Sequence, residues 1–342
     1  MTTPIHEWPL LKERLDPKVL LLGNGASRAV WPRFEYGSLF EIAQTRIEQP
    51  LEKHDIDLFD LLSTKNFEVV LAALLSASRV DRAFDFHDQA EALDASYERI
   101  QTALGRAVRE VHIPWNTVRT SVLEHVNREL REYQAVYSTN YDLLLYWAIM
   151  TNPTKIVDFF WNSATASKYF DRENVDVWAS ATQVFYLHGA LHLVEVEEGQ
   201  THKRTRAPFA DLLSQFGAAL DGFSEAVPLF VTEGTSDDKM RVIRSSEYLS
   251  FAYDQFADDD RPLAVFGHAL DAVADKHILR AINESHRIVL VSTRTRNEEE
   301  AEMLMKELAF KMPAAGAIYL FNATTHPLGH PDLAHSPTAL SP

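Results

Sequence analysis

The sequence predicts an α/β protein, a Rossmann-like, mostly parallel sheet with helices on both faces and a helical insertion. Three observations predict it. Short apolar runs alternate with helical patterns along the chain. The runs end in glycine or polar residues, as strands of a parallel sheet do at a ligand-binding edge. The first run, Val19–Leu22, breaks directly into Gly23-Asn24-Gly25-Ala26-Ser27, a turn in which glycines allow positive φ and free N–H groups can face a phosphate.

The elements follow in order. After Val19–Leu22 comes a long, mostly helical stretch, too long for one crossover helix, so residues of about 50–132 read as a helical insertion beside the sheet. Within it, Asn66–Ser78 places Phe67, Val70, Leu71, Leu74 and Leu75 on one helical face. Asp88–Val111 and Val118–Glu132 continue the pattern. Ala135–Tyr137 is the second strand and Tyr141–Met150 the helix after it. Val184–Leu187, Leu229–Val231, Leu263–Phe266, Ile288–Val291 and Ala317–Phe321 complete a set of seven strands, with helices at Asp271–Asn283 and Asn297–Lys311. Ser246 before Glu247-Tyr248 reads as a helix cap, and Glu298-Glu299-Glu300 suits a helix N-terminus. Residues 195–207, with Gly199, Lys203, Arg204 and Arg206, read as an exposed mobile loop. The sheet domain spans 1–325, and 326–342, rich in proline, reads as a loose tail.

Composition narrows the function. A net charge of −16 argues against a nucleic-acid backbone as the main partner. The absence of cysteine excludes disulfides, thiolate zinc sites, iron–sulfur clusters and a cysteine nucleophile. Glu7, Lys12, Glu13 and Arg14 interrupt the first fifteen residues, so no signal peptide is expected there. The apolar run Leu143–Met150 is too short for a membrane span. A cytoplasmic protein is the expectation.

The strand ends carry the candidate chemistry. In order they are Gly23-Asn24-Gly25, Ser138-Thr139-Asn140-Tyr141-Asp142, His188-Gly189, Thr232-Glu233-Gly234, Gly267-His268-Ala269-Leu270, Ser292-Thr293 and Asn322-Ala323-Thr324. Asn140 can hold a water or sugar hydroxyl through its amide, or cap the following helix. For Asp142 the cap is the reading. His188 can accept a proton near neutral pH, or sit as a core histidine satisfied by backbone. His192 and His202 lack metal-ligand spacing, so no metal is expected. Phe34 and Tyr36, after the first turn, either cover a ligand or pack under a loop.

The ordered set Gly23-Asn24-Gly25-Ala26-Ser27, Thr139-Asn140-Tyr141-Asp142, Leu187-His188-Gly189 and Gly267-His268-Ala269-Leu270 resembles the NAD site of the sirtuin fold. It is most similar to the sirtuin-like NAD hydrolases of bacterial anti-phage defence. Phe34-Glu35-Tyr36, Asn66-Phe67-Glu68 and Ser246-Glu247-Tyr248-Leu249 resemble segments of a bacterial branch of that superfamily. The resemblance implies that residues 23–27 bind the NAD pyrophosphate, with Thr139 in the same segment as the residues that follow. It implies that Asn140 holds the nicotinamide ribose or the attacking water, that Asp142 shapes the nicotinamide pocket, and that His188 is a general base. Gly267 and Asn322 would lie toward the adenosine ribose and adenine, with His268 in the same cofactor-binding segment as Gly267. NAD is then a substrate, no metal is required, and a homo-oligomer or a defence-system partner would control activity. Two departures stand out: Asn24 replaces the usual Ala, and His268-Ala269 replaces a small hydroxyl pair. Without cysteines the zinc module of the deacetylases cannot form, which argues against deacetylation. A non-catalytic NAD or ADP-ribose sensor and an ADP-ribosyltransferase are the alternatives.

Overall fold

The computed structural model describes residues 5–32, 39–160, 168–173, 181–196, 200–205, 227–231 and 235–335. In chain order the strands are β1 (Ile5–His6), β2 (Val19–Leu22), β3 (Ala135–Ser138), β4 (Ile156–Val157), β5 (Thr182–Tyr186), β6 (Gly189–Glu195), β7 (Thr201–Lys203), β8 (Val227–Phe230), β9 (Leu263–Phe266), β10 (Ile288–Thr293) and β11 (Ala317–Asn322). Helices flank them. They are α1 (Trp8–Leu15), α2 (Asn24–Val30), α3 (Leu39–Thr45), α4 (Lys53–Leu61), α5 (Phe67–Ala83), α6 (His87–Val111), α7 (Thr120–Leu130), α8 (Leu144–Thr151), α9 (Ser236–Ser245), α10 (Glu247–Asp258), α11 (Lys276–Ser285) and α12 (Glu298–Lys311).

Eight strands form one sheet in the order β1-β11-β10-β9-β2-β3-β5-β4, every pairing parallel. The adjacent central strands β2 and β9 are apolar throughout because helices cover both of their faces; Val19, Leu20 and Leu21 of β2 are wholly buried. The expected α/β architecture is therefore present. Its C-terminal edge brings together the tips of β9, β2, β3 and β5, where the order of the strands places chain segments far apart in sequence side by side.

Three local expectations are corrected. Leu229–Val231 is not a strand of the main sheet: β8 pairs antiparallel with β6, which also pairs antiparallel with β7. Gly189, at φ +70°, turns the chain away from the sheet immediately after His188, and β6 starts a small sheet of its own. The stretch 195–207 is also no simple exposed loop. Thr201–Lys203 pairs with Leu193–Glu195, and Thr201, Lys203 and Arg204 are buried. The Lys203 ammonium pairs with the buried Asp158 carboxylate and lies over the Tyr146 ring, which accounts for its burial. Finally, residues 326–335 are packed. Short 3-10 turns at Pro327–Gly329 and Pro331–Leu333, capped by the side chains of His326 and His330, bury Leu328 and Leu333. Residues 336–342 of the expected tail lie outside the described residues.

Between β2 and β3 the described chain is helical, as expected. The helix α6 buries Tyr97, Ile100, Ala103, Leu104, Ala107 and Val108 on one stripe. That stripe joins α3, α5, α7 and α8 in a second apolar core. Buried Asp55 accepts from Arg99 Nε at 3.0 Å and Nη2 at 2.7 Å, tying α4 to α6 through a two-pronged ion pair.

Candidate active site

The glycines after β2 are packed against the backbone after β9. Gly23 has φ −116° and neither it nor Gly25 takes a positive φ. Its N–H donates to Phe266 O at 3.0 Å, the Gly25 N–H donates to Gly267 O at 2.7 Å, and the Ala26 N–H donates to Gly23 O at 2.9 Å. These N–H groups are thus engaged by the chain itself, contrary to the free turn expected. A Cβ on Gly25 would stand 2.6 Å from Gly267 Cα, and one on Gly23 would stand 2.5 Å from His268 Cα. The residue with positive φ is Gly267, at +69°. Two glycine segments therefore press backbone to backbone across the tips of β2 and β9. Asn24 Oδ1 is buried at this junction without a hydrogen-bond partner among the described residues.

The segment after β3 ties into the same turn. Asn140 is buried, and its amide nitrogen donates to Gly23 O at 3.0 Å and Ser27 Oγ at 3.1 Å. Ser27 Oγ donates to Asp142 Oδ2 at 2.5 Å, while Asp142 Oδ1 accepts from the Leu144 N–H at 2.8 Å, the helix-capping role expected for it. Both amide hydrogens of Asn140 are engaged, so its oxygen is the group left to meet a ligand. Thr139 donates from its N–H and hydroxyl to Leu22 O and serves the sheet edge.

His188, buried at the tip of β5, does not stand alone. Its Nε2 lies 2.8 Å from His277 Nε2, and His277 Nδ1 lies 2.9 Å from Ser236 Oγ. Ser236 opens α9, and His277 lies in the first turn of α11. Nearby, Lys239 Nζ is 3.5 Å from Asp275 Oδ1, and His268 Nδ1 is 3.9 Å from Asp275 Oδ2. Burial, with His277 and Lys239 adding to it, pushes the His188 pKa well below the usual histidine value. Burial and Lys239 push His277 down to about 4. Burial also lowers His268. All three shifts favour the neutral ring.

The edge thus gathers residues 23–27, Thr139, Asn140, Asp142, Gly267, His268 and His188 around β9, β2, β3 and β5. Asn322 is apart. It ends β11, three strands from β2, roughly 14 Å at the usual strand spacing. Its Oδ1 caps its own turn by accepting from Thr324 N–H at 3.1 Å and Thr324 Oγ at 2.9 Å. Phe34, Tyr36 and Thr232-Glu233-Gly234 lie outside the described residues.

Sequence reasoning missed Ser236, Lys239, Asp275 and His277. The available signal was position: His277 opens the helix that follows the β9 tip, and first turns at such an edge face the ligand crevice. A separate cleft of about 480 Å³ lies beside the edge strand β4, lined by Met150, Lys155, Asp158, Phe160, Lys203 and Thr205. Among the described residues no group of three or more metal-ligand side chains is assembled, and no helix is long and apolar enough to cross a membrane.

No match is found among curated proteins. A family model does match, over residues 20–303, a span that runs from β2 into α12 and contains the whole cluster around His188. The chain therefore belongs to the family described as a domain of unknown function, DUF4917.

Proposed function

We propose that this protein is an NAD+ glycohydrolase that releases nicotinamide and ADP-ribose. One observation carries the reading. The Gly23–Ser27 turn, Asn140 and His188 stand at one parallel edge, at the tips of three adjacent strands, in the order that resembles a sirtuin-like NAD site. In the reaction the C1′–N bond breaks and its electron pair neutralises the pyridinium nitrogen. Neutral nicotinamide departs as positive charge grows on the ribose. A water oxygen then bonds to C1′, and the surplus proton passes to solvent. Asn140 Oδ1 accepts from that water, because its amide hydrogens already hold the Gly23–Ser27 turn. His188 presents Nδ1 to a ribose oxygen.

A free NADase would empty its own cell, so in this reading the enzyme is cytoplasmic and triggered, an effector of bacterial anti-phage defence. Control by self-association fits the helical insertion. At the tip of the α5–α6 pair, Val80, Phe84 and Phe86 are exposed, and the two phenylalanine rings stack at 6.4 Å. A second copy of this chain is the partner proposed for that tip.

Purified protein incubated with NAD+ should yield equal amounts of nicotinamide and ADP-ribose by chromatography, with light scattering on the same samples showing an oligomer whenever activity is present. Saturable NAD+ binding without nicotinamide release would replace the reading by a sensor. ADP-ribose attached to protein would replace it by a transferase. Full activity in a strict monomer would remove the self-association arm.

A further inference from the structure

The hydrogen bonds around His277 have only one arrangement that pairs every donor inside the Ser236–His277–His188 chain and leaves the single open N–H at its outer end, on His188 Nδ1. Ser236 Oγ, on a side chain buried in the core, accepts from the His277 N–H at 2.8 Å. Its one other partner among the described residues is His277 Nδ1. Were His277 protonated on Nδ1, that ring N–H would donate to Oγ and the serine hydroxyl proton would have no acceptor. An unpaired buried donor costs about 1–3 kcal/mol. Ser236 therefore donates to a bare Nδ1, and the proton of neutral His277 sits on Nε2. That Nε2–H donates across the 2.8 Å contact, so His188 Nε2 must be the acceptor. Neutral His188 then carries its own proton on Nδ1, the nitrogen that no described residue engages. The Tyr253 hydroxyl, donating to His277 O at 3.0 Å, holds the start of α11 in place behind this chain.

We propose that Ser236 and His277 are positioning residues that fix His188 in its Nδ1–H tautomer, so that the ring meets a nucleotide ribose oxygen as a hydrogen-bond donor and not as a base. The assignment of the ribose rests on the NAD reading of the site; the tautomer does not. A donor fits a cleavage whose leaving group departs neutral, since such a step needs no base to begin. The low proton affinity of both rings keeps the pair neutral, which a single tautomer requires.

The test is long-range 1H–15N spectroscopy of protein labelled at histidine nitrogen, with the His188 signals assigned by their loss in His188→Gln. His188 should show a protonated Nδ1 and a bare Nε2, and His277 the reverse. A protonated Nε2 on His188 overturns the proposal whether or not the protein acts on NAD+. In Ser236→Ala, His188 should become a mixture of both tautomers; a spectrum unchanged from wild type would also overturn it. If that variant does not fold, the wild-type spectrum still decides. Where wild type releases nicotinamide, Ser236→Ala should lower kcat about tenfold with KM little changed. Ser236→Thr, which keeps the hydroxyl, should restore it. Wild type with the assigned tautomer but no turnover would leave the positioning intact and remove the NAD reading.

Discussion

Gly25 shows how one residue type can point to the right place for a different reason. The Gly-x-Gly turn marks a strand tip, and the structure has the strand tip there. What the packing itself demands there is a glycine against the backbone of Gly267. A methyl group at Gly25 meets main-chain atoms that have no side-chain rotamer to relieve the contact. Gly25→Ala should therefore destabilise the fold by about 1–3 kcal/mol, read as a lower urea midpoint. An unchanged midpoint would contradict the packing role. Asn140 carries a related lesson: its position was legible, its partners were not. Nothing in the sequence says that Gly23 O and Ser27 Oγ engage its amide, because those contacts follow from the adjacency of β2 and β3.

Elements were legible where a period ran long enough to be unambiguous. The stripe of α6 and the apolar β2 stand close to where their patterns put them. Two-residue strands such as β1 and β4 carry no period and were invisible. So was the packing of 326–335, where prolines suggested a tail but instead open 3-10 turns. His326 holds that segment. Its ring lies 4.4 Å from Trp8 and 4.8 Å from Phe266, and burial pushes its pKa down to about 3. A histidine held neutral when folded contributes stability above its unfolded pKa near 6.5, and that contribution is lost as pH falls toward about 3. Neighbouring Glu129 acts with the opposite sign. Burial raises its pKa to about 7, so its contribution is present below about 4.5 and is lost as pH rises through about 7. His326→Leu keeps Glu129 and removes the histidine. The stability lost by wild type between pH 7 and pH 5 should shrink by about 2 kcal/mol in this variant, measured by urea unfolding. An unchanged difference would show that His326 does not titrate as described.

For the whole molecule, the parallel sheet was readable because alternation of strand and helix is a property of the entire chain. The strand order was not, and the site depends on it. Only the order β9-β2-β3-β5 puts Gly267, Gly23, Asn140 and His188 side by side. The same order brings α9 and α11 to His188 and supplies Ser236 and His277, which no local motif announces. The NAD+ reading puts the ligand at this edge and not in the cleft beside β4. Amide hydrogen exchange with and without NAD+ separates them in one measurement. Slowed exchange is expected at 23–27, 139–142, 187–189 and 267–270, with 153–158 unchanged. Protection confined to 153–158, or none anywhere at saturating NAD+, would contradict the NAD+ reading.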